Sequence, residues 1–146
     1  MYYISTRDAA LRCTASQAIV QGLSRDGGLF LPERIPALEQ GALEKMRTMP
    51  YAERAVQVMK LYLEEFTEDE LRTYAGSAYG PDKFDTPAVA PLKRLDGRTD
   101  VLELWHGPTC AFKDMALQML PYLLTASLKK TGEEKTACIL VATSGD

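Results

Sequence analysis

The chain has 146 residues, 46% hydrophobic and 25% charged, a balance ordinary for a globular protein with a real core and a length that fits one domain or a small domain plus part of another. A net charge of −3 and a pI near 5.3, with no basic block to track a phosphate backbone, argue against nucleic acid as a partner. Three widely spaced cysteines, Cys13, Cys110 and Cys138, and a single histidine suit reduced thiols in a cytoplasmic setting and argue against both a disulfide framework and a zinc site.

The N-terminus lacks the basic and apolar regions of a signal peptide. Residues 2–5 read as a brief strand. Thr14 and Gln17 fit a capping box opening a helix with Ala15, Ala18 and Ile19 on one side, ended by Gly22. Residues 24–28 read as a turn, with Gly27 and Gly28 free to take positive φ, and residues 29–32 leave it extended. Pro36 can start a helix with Leu38, Ala42 or Leu43, and Met46 at helical spacing. The clearest amphipathic helix starts at Tyr51, with Ala52, Val56, Met59 and Leu63 on its apolar face and Tyr62 beside it. Thr67 and Glu70 form a second capping box, leading into Leu71, Tyr74, Ala75 and Ala78.

Near residue 80 the character changes. Pro81, Pro87 and Pro91 punctuate a loop or linker. Residues 92–95 and 101–105 are short strand-like runs separated by residues 96–100, the pattern of a hairpin. A helix follows over residues 111–130, with Lys129 and Lys130 in its last turn and Gly132 just beyond; Pro121 should kink or split it. The apolar stretch 115–128 is too short, and too interrupted by Gln118, Pro121 and Thr125, to span a bilayer. Residues 137–142 form a continuous apolar run of the kind found in a buried parallel strand. Strand 101–105, helix 111–130 and strand 137–142 would make one right-handed βαβ unit. The expected class is therefore α/β: a mainly helical domain over residues 1–82, then the opening βαβ of a parallel-sheet domain over residues 83–146.

The most informative stretch is His106-Gly-Pro-Thr-Cys-Ala-Phe-Lys-Asp114. It sets Lys113 in the first turn of the expected helix, where the partial positive charge of unpaired N–H groups disfavours an ammonium by about 0.3–1 kcal/mol. A lysine biased toward its neutral amine is a nucleophile, used in Schiff bases with carbonyl substrates or pyridoxal phosphate. The turn after residue 142, with the hydroxyls of Thr143 and Ser144 and the permissive Gly145, suits a carboxylate or phosphate, although an ordinary strand-to-helix turn has the same composition and Asp146 is also a favoured helix cap. Both loops would follow the carboxyl ends of parallel strands, where open sheets bind ligands. A lone histidine beside Gly-Pro reads as a hydrogen-bonded structural residue, and Cys110, with no second histidine to activate it, as packing.

These residues also carry a resemblance. His106 to Asp114 is similar to the HGPT-x-AFKD signature of threonine synthases, and Ala142-Thr-Ser-Gly-Asp146 resembles the start of that family's ATSGDTG loop. Ile4-Ser-Thr-Arg7 and the stretch from Gly22 to Glu33 resemble its N-terminal region. The resemblance implies a fold-type-II pyridoxal-phosphate enzyme that converts O-phospho-L-homoserine and water to L-threonine and phosphate. It implies that Lys113 holds the cofactor and moves protons among the substrate's Cα, Cβ and Cγ and the cofactor's C4′, that Phe112 packs near the ring, and that Thr143, Ser144, Gly145 and Asp146 bind the substrate, most plainly its carboxylate. In this family the cofactor-phosphate loop and the group facing the pyridine nitrogen lie further downstream, so the chain alone is expected to be inactive. Two other readings stay open: a threonine-synthase-like phospholyase that releases 2-oxobutyrate, and a non-catalytic binding module. An open strand at 137–142 would expose a sheet edge and invite self-association.

Overall fold

A computed structural model describes residues 1–142. Local signals dictate most of the first half. Strand β1 (Tyr3–Ser5) lies between β2 (Arg12–Cys13) and β3 (Phe30–Pro32), both antiparallel to it, with Tyr3 opposite Cys13 on one side and Pro32 on the other. Helix α1 (Ala15–Gln21) opens on the expected capping box: the Gln17 N–H donates to the Thr14 hydroxyl, and the Thr14 N–H donates to the Gln17 side chain. Gly22 closes it at φ 73°, a positive-φ conformation that glycine adopts without a Cβ clash. Helix α4 (Glu68–Ala78) opens the same way on Thr67 and Glu70.

The expected helix from Pro36 shrinks to α2 (Ala42–Met46), which begins after Gly41 in the left-handed region. Helical spacing was present there, but Ile35, Leu38 and Leu43 stay exposed, and a short helix with no apolar face to bury does not hold. Helix α3 (Tyr51–Met59) does bury its stripe, through Val56. Leu63 is also buried, though it lies beyond the helix end.

Val56, Leu63, Phe66, Leu71 and Ala75 form one core cluster with Ala15 and Ala126. Full burial of a side chain such as Leu71 stabilises by about 1.5–3 kcal/mol. Ala126 comes from helix α6 (Leu120–Thr131), which packs against α1. Lys130 near the end of α6 reaches Glu70 of α4 at 2.9 Å and lies over the Phe66 ring. The proline-rich stretch between the halves is not a bare linker, because Phe84 and Val89 are buried.

The second half departs from the expected unit. Strands β4 (Leu92–Arg94) and β5 (Asp100–Leu102) form the anticipated antiparallel hairpin. The anticipated single helix is two: α5 (Asp114–Leu117) and α6, separated at Gln118 and Met119. Pro121 is the second residue of α6; its ring has no N–H to offer the carbonyl of Leu117 and would crowd it, so the break falls there. No strand is found over residues 137–142, and Ile139, Leu140 and Val141 are exposed. The βαβ unit is therefore not assembled among the described residues. A parallel strand needs neighbours for its backbone groups on both faces and edges, and the sheets among the described residues are two short antiparallel ones, of three and two strands.

Candidate active-site turn

The chain leaves β5 and reaches the lysine through a turn held at both ends. At its start, the Glu103 N–H donates to the Pro91 carbonyl (2.9 Å), and the Asp85 N–H donates to the His106 carbonyl (3.1 Å). The imidazole of His106 sits between two carboxylates, Nδ1 2.6 Å from Asp85 Oδ1 and Nε2 2.9 Å from Glu103 Oε2. Those hydrogen bonds, Glu103 first and Asp85 second, raise the His106 pKa above its ordinary value against a smaller opposing effect of burial. Trp105 stacks on the same ring at 5.7 Å.

The turn tightens where the Cys110 N–H donates to the Gly107 carbonyl (3.1 Å). Cys110 takes φ 58° and is exposed. The expectation that it packs inside is corrected: its role is conformational, one left-handed residue that reverses the chain. Asp114 is fully buried. Its Oδ2 accepts from the Thr109 N–H (2.8 Å) and hydroxyl (3.0 Å), and its Oδ1 faces the Gln118 amide at 3.5 Å. A Cβ on Gly107 would come within 2.6 Å of that carboxylate, so residue 107 has no room for a side chain.

Lys113 follows from this packing. It is half-buried, adopts αR geometry at the N-cap of α5, and its carbonyl accepts from the N–H groups of Ala116 (3.0 Å) and Leu117 (2.8 Å). The lysine thus caps a four-residue helix instead of lying in the first turn of a long one. Aligned peptide dipoles build little field over so short a helix; the reason drawn from helix position gives way to one drawn from the turn, whose backbone Asp114 locks from within. Tyr79, the C-cap of α4, supports the far side, its hydroxyl donating to the Met115 carbonyl at 2.8 Å, while burial, with a smaller contribution from Tyr51, pushes its phenol up to about 12. Phe112 beside the lysine is exposed.

Thr143, Ser144, Gly145 and Asp146 lie outside the described residues. Sequence reasoning missed Asp114, Asp85 and Glu103 as the groups that shape the turn. The available signal was the Thr109 to Asp114 spacing, with a small residue at 107 and an acid directly after the lysine. Among the described residues no group of three metal-ligating side chains comes together, and no helix is long and apolar enough to cross a membrane.

Helices and short antiparallel sheets, with one lysine on an internally locked turn, define a mixed helix-and-sheet chain. Residues 2–79 match the family model described as threonine synthase N terminus. The chain is 42% identical, over its whole length, to the threonine synthase of Pseudomonas aeruginosa and covers 30% of that protein. It is 38% identical over its whole length to threonine synthase-like 2 of Homo sapiens, again covering 30%. The solved structure of pyridoxal-phosphate-bound threonine synthase from Brucella melitensis superimposes with a TM-score of 0.83 at 37% identity, over 91% of this chain and 28% of that one. The chain belongs to the threonine synthase family, in its N-terminal region, and spans about a third or less of the length of these relatives.

Proposed function

We propose that the chain is the N-terminal part of a pyridoxal-phosphate-dependent threonine synthase acting on O-phospho-L-homoserine and water to give L-threonine and phosphate. The observation that carries this reading is the locked turn: the residues leading to Lys113 are braced by the buried Asp114 carboxylate, which accepts from the Thr109 N–H and hydroxyl, so the lysine sits at a preset position, as orientation of a reacting amine requires. The residues fit the cofactor at that point. Lys113 would hold it through the amine, and Phe112, exposed beside the lysine, would pack against its ring. When bound, pyridoxal phosphate supplies an electron sink conjugated to the substrate's Cα. The Lys113 amine takes the proton from Cα and serves as base and acid at Cβ and Cγ as phosphate leaves and water adds. Thr143, Ser144, Gly145 and Asp146 bind the substrate carboxylate.

In the same reading, residues 1–82 are the N-terminal domain and residues 83–146 open the catalytic parallel-sheet domain, where residues 137–142 gain strand neighbours from the rest of the protein. The setting is cytoplasmic, in keeping with three free thiols. The 146-residue chain alone has no turnover. In the full-length protein, Lys113→Ala abolishes threonine formation and leaves the far-UV circular dichroism unchanged; near-normal turnover in that variant would remove the reading. A second reading, a phospholyase that releases 2-oxobutyrate, would use the same lysine. Product analysis separates the two, since 2-oxobutyrate without threonine belongs to the phospholyase.

A further inference from the structure

The chain holds one histidine and one tryptophan, and they are neighbours whose rings stack at 29°. The His106 side chain is only 16% exposed, and each of its ring nitrogens meets a carboxylate oxygen, at 2.6 and 2.9 Å. A neutral imidazole has one N–H. It can donate to one of these oxygens and must turn a lone pair toward the other, which is repulsive; an imidazolium donates to both. The two short contacts therefore select the charged ring.

The participants come from two stretches: Asp85 follows α4, while Glu103, directly after β5, and His106, three residues on, lie on the stretch that leads to Lys113. The Asp85 N–H also reaches the His106 carbonyl, so side chain and backbone fasten the same point. Asp114 shapes the turn from inside but makes no tie to Asp85 or Glu103 in the contacts above; the histidine supplies that tie. We infer that His106, as an imidazolium gripped between Asp85 and Glu103, is a positioning residue that fastens the lysine-bearing turn to β5 and to the segment after α4, and that loss of its proton loosens the turn.

This goes beyond the proposed activity, because it concerns the shape of the turn and is read on the chain without cofactor or turnover. Among the described residues, Asp85 and Glu103 are the charged groups that act on the ring. The raised pKa sets the sign. Stabilisation by the clasp is complete below the ordinary histidine value and is lost as pH rises through the raised one.

The test is an NMR titration of the 146-residue chain, following the imidazole of its single histidine together with the amides of Gly107, Thr109 and Cys110, with Trp105 fluorescence as an independent report of the stacked ring. The expected result is an imidazole midpoint above the ordinary histidine value, with the turn amides shifting at the same midpoint. Glu103→Gln should lower the midpoint most and Asp85→Asn less, and in His106→Gln the amides should no longer titrate there. Asp85 is 74% exposed, so Asp85→Asn tests the clasp even where Glu103→Gln fails to fold. An ordinary midpoint, a midpoint unmoved by Asp85→Asn, or a raised midpoint with still turn amides would each overturn the inference.

Discussion

Gly107 and Asp114 set the geometry of the lysine turn between them. The carboxylate fills the space that a side chain at 107 would need, and its oxygens satisfy the Thr109 N–H and hydroxyl. Gly107→Ala must push a buried acid out of place, an overpacking that costs about 1–3 kcal/mol. A urea titration should show a lower midpoint with the slope unchanged; an unaltered midpoint would mean the turn has slack that the structure does not contain. The family resemblance carried by the motif around Lys113 was legible in the sequence because the motif is local. Its neighbours across space were not: Asp85 and Glu103 meet His106 from 21 and 3 residues away, and nothing in their own surroundings marks them as partners.

At the scale of elements, the two capping boxes appeared where the sequence placed them, since both donor and acceptor lie within four residues. Glu70 serves a second purpose by reaching Lys130, which joins α4 to α6. Its pKa is lowered first by the Thr67 N–H and then by Lys130. A depressed carboxyl contributes stability above its ordinary value and loses it as pH falls through the lowered one. Acid titration of thermal stability should therefore show a loss that Glu70→Gln removes; an identical profile in that variant would refute the role. The α1–α6 contact holds a different feature. The hydroxyls of Ser16 and Ser127 are buried without hydrogen-bond partners, and an unpaired buried hydroxyl carries a desolvation penalty of about 1–3 kcal/mol. Ser127→Ala should accordingly be neutral or raise stability by about 1 kcal/mol, as calorimetry would show. A marked fall in Tm would reveal a bond to that oxygen.

Across the whole molecule, apolar side chains stay outward around the second half, among them Leu102, Trp105, Phe112, Leu117 and Leu140. Exposed apolar side chains favour association where they adjoin one another. The anticipated sheet edge at 137–142 is not formed among the described residues, so self-association is expected to run through apolar contact and not strand pairing. Sedimentation velocity on the isolated chain should show mass rising with concentration, reduced by added Leu102→Lys and Leu117→Lys changes. A single monomeric species at high concentration would count against it.

The family, the starts of α1, α3 and α4 and the break before Pro121 could be read from the linear chain because each rests on chemistry within a few residues: a cap and its N–H, a proline and the carbonyl four positions back, a motif in one turn. The residues that hold the turn in place, the shortening of the helix after Pro36 and the missing strand at 137–142 depended on which groups the folded chain brings together. A buried carboxylate finds its donors, an apolar stripe its covering surface, and a parallel strand its neighbours only in three dimensions, and where the neighbour is lacking, local preference alone does not build the element.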